Sequence, residues 1–357
     1  MSARIPAIVI MAGGTGGHVF PALAVAEEMR ARGWRVSWLG TQKGLESRVV
    51  PANGFDIDWL SVSGLRGKGL FSKLGAVLRL LQACLQARRI LRQRRPDVVL
   101  GMGGFVAGPG GLMAKWLGLP LVVHEQNRIP GTTNRWLVKL AASKVLEAFP
   151  ASFPAEVGAI CTGNPLRRAF MDAPERTAWT PKSGRALRVL VLGGSQGAKV
   201  LNDTVPEALA GPSGLEIKHQ TGDAMRAEVN DRYQNLGVNA EVCAFIDDMA
   251  SAYRWADLIV CRAGAMTVSE VAASGLPAIF VPLLHAIDDH QTANARFLTE
   301  AGAALLLPQP ELNVSNLRKL MTQAMTSLPM MSQAAQKQAK LHACQTVADI
   351  CAAEAAL

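Results

Sequence analysis

Apolar residues come along this chain in short runs separated by longer amphipathic stretches. Runs rich in Val, Ile and Leu lie at residues 7–11, 35–39, 98–100 and 121–124 in the first half. Others lie at 188–192, 216–220, 240–245, 258–261 and 278–281 in the second. Each has the length of a strand. Between them, as at 22–32 and 266–274, apolar residues recur at helical spacing. Buried strands that alternate with helices predict parallel sheets covered by helices on both faces. The Ala- and Gln-rich stretch 333–357 predicts helix, able to fold back across the joint between the halves.

The halves echo each other. IVIMAGGTGGHVFPALAVA, near the start, resembles VLVLGGSQGAKVLNDTVP at 189–206. Each is strand, glycine loop, helix, as at the first turn of a doubly wound sheet. A chain of 357 residues is long enough for two such domains. The predicted class is α/β, with two doubly wound parallel-sheet domains facing a cleft. The Pro-, Gly- and Thr-rich region 162–184 marks the joint, giving domains at 1–163 and 164–340 and a terminal helix at 341–357.

Composition narrows the partners. The formal net charge is +9, which points to an anionic partner. Aromatic residues make up only 5%, which disfavours a base-stacking platform, and no helix-turn-helix, RNP or zinc pattern supports nucleic acid. The six cysteines form no CxxC pair and read as reduced core residues of a cytosolic protein. The N-terminus runs straight into a strand without the pattern of a signal peptide. Residues 98–123 are nearly uncharged, but glycines, two prolines and Lys115 interrupt them. A span needs roughly 20 continuous apolar residues; strand, glycine loop, helix and strand are expected instead.

The glycine loops carry the first chemistry. Gly13-Gly14-Thr15-Gly16-Gly17 has little side-chain bulk, so a ligand can approach its peptide N–H groups. The following helix adds free amides and a positive dipole end. A phosphate or pyrophosphate suits such a turn, although a tight turn without ligand needs glycine too. The loop is not a Walker A motif, since no Lys-Ser or Lys-Thr follows. A dinucleotide fingerprint would need glycine at Val19 and an acidic residue near Leu39-Gly40-Thr41. Further glycine-rich turns are GMGGFVAGPGG at 101–111, GGSQG at 193–197 and RAGAMTVSE at 262–270.

GGTGGHVFPALAVA, SGLRGKG, GGFVAGPGG, HEQN, TGNPLR, GGSQGA and CRAGAMTVSE occur in the order of the MurG family, which this chain resembles over nearly its whole length. The resemblance implies a GT-B fold and an inverting glycosyl transfer that needs no metal or other cofactor. It implies that GlcNAc moves from UDP-GlcNAc to the C4 hydroxyl of MurNAc in lipid I, giving lipid II. It implies a hexosyltransferase of peptidoglycan synthesis. Other cell-wall synthesis proteins are left open as partners.

By the same resemblance, Arg167, Ser195, Ile246, Arg262, Gly264, Ala265, Met266, Thr267, Glu270 and Gln291 bind the donor, with Asn294 nearby. Here Arg167 and Ser195 serve the phosphate end, Ile246 the uracil and Glu270 the ribose. Some relatives carry Gln-Gln where this chain has His290-Gln291. Gly14, Thr15, Gly16, Gly17, His18, Gly103, Gly104, Asn127 and Asn134 face the lipid-linked acceptor.

The acceptor hydroxyl must lose a proton, and the base candidates are His18 and Glu125. A helix N-terminus opposes added positive charge and so favours the neutral imidazole a base requires. His18 as a positioning donor and Glu125 as a structural carboxylate remain alternatives. An epimerase or hydrolase acting on UDP-GlcNAc, or a binding module without turnover, is the rival function.

Between Asp58 and Asp97 there is no acidic residue, and Leu74, Val77, Leu78, Leu81 and Leu85 recur at helical spacing among nine basic residues. A basic helix with an apolar stripe reads as membrane-surface binding. The stripe is expected to be mostly core, with Phe71, Lys73, Leu74, Arg79 and Trp116 at the lipid. With the resemblance, this predicts a peripheral protein on the cytoplasmic face of the bacterial inner membrane.

Overall fold

The computed structural model describes residues 4–61, 70–171, 179–180, 184–194, 198–211, 214–283 and 289–356, and of 70–77 the backbone alone. The chain divides into two compact units, Met1–Arg167 with Leu341–Leu357, and Arg168–Lys340.

The first unit runs β1 (Ala7–Met11), α1 (Gly16–Ala31), β2 (Arg35–Gly40), α2 (Glu46–Ala52), β3 (Asp56–Trp59), α3 (Leu70–Arg94), β4 (Val98–Gly101), α4 (Ala107–Trp116), β5 (Leu121–Glu125), α5 (Thr132–Leu140), β6 (Lys144–Glu147) and β7 (Ile160–Cys161). Its sheet is parallel throughout, in the order β3-β2-β1-β4-β5-β6-β7. The second unit runs α6 (Arg168–Met171), β8 (Leu187–Leu192), α7 (Lys199–Leu209), β9 (Leu215–Gln220), α8 (Arg226–Asn235), β10 (Ala240–Cys243), α9 (Met249–Trp255), β11 (Leu258–Cys261), α10 (Ala265–Ala273), β12 (Ala278–Phe280), α11 (His290–Thr299), β13 (Ala304–Leu306) and α12 (Val314–Gln338). Its parallel sheet has the order β10-β9-β8-β11-β12-β13.

Alternation along each strand sends side chains to both faces. In the first unit Ile8, Ile10, Leu100 and Val122 pack under α1 with Val347, Ala348 and Cys351 of a final helix, α13 (Ala343–Ala355). Val9, Met11, Val99 and Val123 face the other way, under Ala87 and Leu91 of α3, Ala107 and Ala114 of α4 and Leu137 of α5. In the second unit Val189, Val191, Ile217, Val260 and Ile279 pack with residues of α7, α8 and α12.

Several expectations change. The terminal stretch is two helices, because Ala339 leaves the helical region (φ −66°, ψ 135°) and ends α12. α1 begins at Gly16 rather than 22. Pro21 is tolerated in its second turn, where the acceptor it leaves unused is the Gly17 carbonyl. The strand expected at 240–245 stops at Cys243, and Phe245 is exposed. Of the turn expected at 101–111, only the first part is a turn. Gly108, Gly110 and Gly111 lie in α4, where a Cβ on Gly110 would collide with the Met11 sulfur and one on Gly111 with Leu137. Those two glycines let α4 sit close on the sheet and on its neighbour. Residues 98–123 form β4, a turn, α4 and β5, as expected.

Candidate active site

In a doubly wound sheet, ligands bind beyond the carboxyl ends of the strands, where the strand order reverses. The order reverses between β1 and β4 in the first unit and between β8 and β11 in the second. The four glycine-rich turns read from the sequence follow these four strands.

At the first switch point the turns after β1 and β4 touch. Gly104 adopts φ +83°, and a Cβ there would strike the Gly13 carbonyl oxygen, so only glycine allows this approach. Gly103 packs on the His18 ring; a Cβ there would stand 2.9 Å from its Cδ2. Thr15 is the N-cap of α1 and makes no side-chain capping bond, and its carbonyl takes the His18 and Val19 amides. Gly16 and Gly17 occupy the first turn, where helix geometry supplies no acceptor for their N–H groups. The structure therefore groups Gly14, Thr15, Gly16, Gly17, His18, Gly103 and Gly104. Arg167, at the end of this unit's first segment, lies with its guanidinium 5.7 Å from the Phe20 ring centroid of α1.

Glu46 was not legible as part of this site. It is fully buried; its Oε2 accepts from Gly14 N (2.9 Å), and its Oε1 accepts from Thr41 N (2.9 Å) and the Thr41 hydroxyl (2.7 Å). The only sequence signal is a lone acidic residue near Gly40 and Gly44.

Glu125 ends β5 and is buried. Its Oε1 accepts from Asn127 N (2.9 Å) and Nδ2 (3.2 Å), and its Oε2 from Gly131 N (3.0 Å) and Asn134 Nδ2 (2.9 Å). Four donors hold the carboxylate, which makes it the brace of the HEQN turn. Asn134 is buried as well, and its Nδ2 donates to His124 O (3.2 Å) and to Glu125 Oε2 (2.9 Å). Asn127 is half-buried.

His124 is buried in a polar net that sequence reasoning missed. Its Nδ1 meets Gln126 Nε2 at 3.1 Å, and its Nε2 meets Gly163 O at 3.0 Å. Burial pushes its pKa down to about 4, against the Gly163 carbonyl and Glu125, which both favour the proton.

In the second unit Gly264 caps α10, and Ala265, Met266 and Thr267 supply the first-turn amides and a half-buried hydroxyl. Glu270 lies one turn on, and its Oε2 accepts from the buried Tyr253 hydroxyl at 3.3 Å. Burial, with the Glu270 charge nearby, pushes the Cys261 thiol far up, so it is no nucleophile. Arg262, expected at the donor, donates from Nη1 to Val281 O (2.9 Å) and Pro282 O (3.2 Å) and props the chain after β12. Burial lowers its pKa from the ordinary guanidinium value. Gln291 accepts from Leu283 N through Oε1 at 2.9 Å, and buried Asn294 donates to Ala263 O at 3.3 Å. Ile246 is half-buried in the chain that follows β10. Asp248 caps α9, accepting from Ser251 N. Ser195 lies outside the described residues.

The outer helices of the first unit correct a further expectation. The buried stripe of α3 is Ala83, Ala87 and Leu91, whereas Leu78, Leu81 and Leu85 are exposed, Leu85 by 64%. Trp116 of α4 is 58% exposed, with the Arg88 guanidinium 4.2 Å from its ring centroid and Arg92 at 5.8 Å. Arg79 is exposed. The side chains of Phe71, Lys73 and Leu74 are outside the description. Among the described residues no helix is long and apolar enough to cross a membrane.

Residues 8–145 match the glycosyltransferase family 28 N-terminal domain, and residues 188–347 match the family's C-terminal domain. A UDP-N-acetylglucosamine–N-acetylmuramyl-(pentapeptide) pyrophosphoryl-undecaprenol N-acetylglucosamine transferase from Methylococcus capsulatus is 61% identical over 354 residues, 98% of each chain. A transferase of the same name from Shewanella frigidimarina is 50% identical, covering 97% of this chain and 96% of its own. The crystal structure of Acinetobacter baumannii MurG superposes with a TM-score of 0.85 at 40% identity, covering 98% of this chain and 99% of that one. A UDP-GlcNAc 2-epimerase from Neisseria meningitidis, bound to UDP-GlcNAc, shares the fold at 13% identity (TM-score 0.66, covering 97% of this chain and 99% of that one).

Proposed function

Because the chain belongs to the MurG family within glycosyltransferase family 28, we infer that it transfers GlcNAc from UDP-GlcNAc to the C4 hydroxyl of MurNAc in lipid I. The transfer inverts the anomeric centre and yields lipid II for peptidoglycan synthesis. The observation that carries the reading is that one chain of this family holds two anion turns at two switch points, one beside a histidine and one followed by a carboxylate.

The first unit, Met1–Arg167 with the terminal helix, is the acceptor domain, and Arg168–Lys340 is the donor domain. Thr15 and the Gly16 and Gly17 amides, with the Gly103-Gly104 turn, hold the acceptor pyrophosphate by hydrogen bonds and helix dipole. His18, fixed against Gly103, takes the proton of the attacking hydroxyl. Glu125 acts through the turn it braces and presents Asn127 to the acceptor.

In the donor domain the α10 N-terminus and Thr267 meet the UDP diphosphate. The charge that develops on the leaving group is stabilised there without reorganisation. By the family resemblance, Ser195 adds to this phosphate site. Glu270, held by Tyr253, accepts from the ribose hydroxyls, and the backbone at Ile246 reads uracil. With its carbonyl oxygen taken by Leu283, Gln291 offers its amide N–H groups to the sugar. Arg262 keeps the chain after β12 in place for that contact.

The enzyme reaches its lipid acceptor from the cytoplasmic face of the inner membrane, as a peripheral protein. Leu78, Leu81, Leu85 and Trp116 support this, since apolar side chains stand exposed among Arg79, Arg88 and Arg92. Proton NMR of the disaccharide made from UDP-GlcNAc and a lipid I analogue tests the reaction. A β-1,4 linkage is expected, and an α linkage or an unchanged acceptor contradicts it.

A further inference from the structure

Glu46 is a buried carboxylate whose hydrogen-bond partners all lie in the two turns after β1 and β2. Among the described residues no cation pairs with it. The chain makes room for it with glycine. A Cβ on Gly13 would stand 2.7 Å from its Oε1, one on Gly40 2.8 Å from its Cγ, and one on Gly44 would collide with the carboxylate itself. The Leu45 amide, next to it, reaches the Gly14 carbonyl at 3.4 Å. Gly14 is thus held at both its N–H and its carbonyl while it adopts φ +92°.

We propose that Glu46 is a positioning residue for the acceptor's pyrophosphate, a role that rests on the transfer reading above. The carboxylate turns the Gly14 N–H inward and away from ligand. That sets the direction in which the amides of Gly16 and Gly17 leave the turn, and with them the start of the helix that carries His18. Its charge cannot itself attract the pyrophosphate, because like charges in one turn repel. What Glu46 contributes is shape, and the sign of the effect tests this.

Glu46→Gln keeps the volume but carries an NH2 where one carboxylate oxygen was, so one of the donors Gly14 N–H and Thr41 N–H loses its acceptor. Steady-state kinetics with a lipid I analogue and UDP-GlcNAc should show the acceptor KM raised about tenfold, with the UDP-GlcNAc KM within about twofold of the unsubstituted chain. Thr41→Val removes only the hydroxyl bond and should raise the acceptor KM by a smaller factor, whereas Thr41→Ser should restore it. An unchanged acceptor KM in E46Q, with only kcat or thermal stability reduced, overturns the proposal. A lowered acceptor KM overturns it too, because charge repulsion would then outweigh shape. If E46Q does not fold, the Thr41→Val and Thr41→Ser pair decides alone, and equal acceptor KM values contradict the proposal. A chain that turns over UDP-GlcNAc independently of acceptor overturns the transfer reading first, which separates the two failures.

Discussion

At the first switch point the anion turn is braced by a buried carboxylate and closed by a second glycine turn, with His18 beside it. At the second, the turn before α10 has guanidinium and amide groups around it, from Arg262 and Asn294, and Glu270 follows on the helix held by Tyr253. The topology is the same: a parallel sheet, a reversal of strand order, a glycine turn and a helix N-terminus. The difference lies in what surrounds the turn. The first is almost all backbone plus one imidazole, which suits a pyrophosphate and a proton transfer. The second adds side chains that can read a ribose and a sugar. One architecture therefore supports two recognition tasks, and the task is assigned by the residues beyond the anion turn.

The largest expected effect lies at the first turn. His18→Ala should lower kcat by about a thousandfold while leaving the UDP-GlcNAc KM within about twofold, measured by steady-state kinetics. A change confined to the UDP-GlcNAc KM would erase the division between the turns.

Each unit also carries one histidine held neutral by burial, His124 with its pKa down to about 4 and His219 down to about 3. Unfolded histidines titrate near 6.5. The unfolded chain therefore binds more protons below pH 6.5. Stability is full above that pH and is lost as it falls toward 4, by about 3 kcal/mol for each histidine. Urea unfolding between pH 7 and 4.5 checks this, and His219→Gln should remove about half of the slope. A flat midpoint would mean that neither histidine is held as described.

At the second turn, Glu270→Gln should raise the UDP-GlcNAc KM by at least tenfold and leave the acceptor KM unchanged, because a charged acceptor for the ribose hydroxyls is lost. Tyr253→Phe should shift the same constant by less. An acceptor KM that moves with either variant would join the two turns into one recognition unit.

The smallest effect concerns the outer face of the first unit. Arg79→Gln should weaken binding to vesicles containing anionic phosphatidylglycerol about fivefold, at about 1 kcal/mol per basic residue, and the loss should shrink at high salt. Leu81→Ser should weaken it whatever the salt. The large apolar residues described as exposed in the second unit, Leu236, Phe245, Leu283 and Met330, lie on separate stretches of chain. Binding that ignores both variants would remove the face as a membrane surface.

Much of this was legible in the sequence, for physical reasons. β1 (AIVIM), β4 (VVLG) and β8 (LRVLVL) are largely buried and show as apolar runs. The strands that escaped are β3 (DIDW), a polar edge strand, and β6, β7 and β13, which are four residues or shorter. Without a run or an alternation long enough to count, periodicity has nothing to detect. The glycine turns were legible because glycine marks a backbone need. The stripe of α3 was misjudged because, among its described side chains, the helix buries two alanines and one leucine and leaves larger apolar residues outside, so size misled where direction decided. Glu46, His124 and Tyr253 could not be found because each acts through partners distant in sequence. One buried carboxylate looks like any other acidic residue until its donors are known.

The measurement that tests the central claim most directly is UDP release by the purified chain, with UDP-GlcNAc alone and then with a lipid I analogue. The account predicts slow release without the analogue and a large, saturable increase with it, matched one for one by disaccharide formed. Equal release in the two conditions, or release with no disaccharide, would contradict the transfer and leave the two turns as the site of a different reaction on the nucleotide sugar.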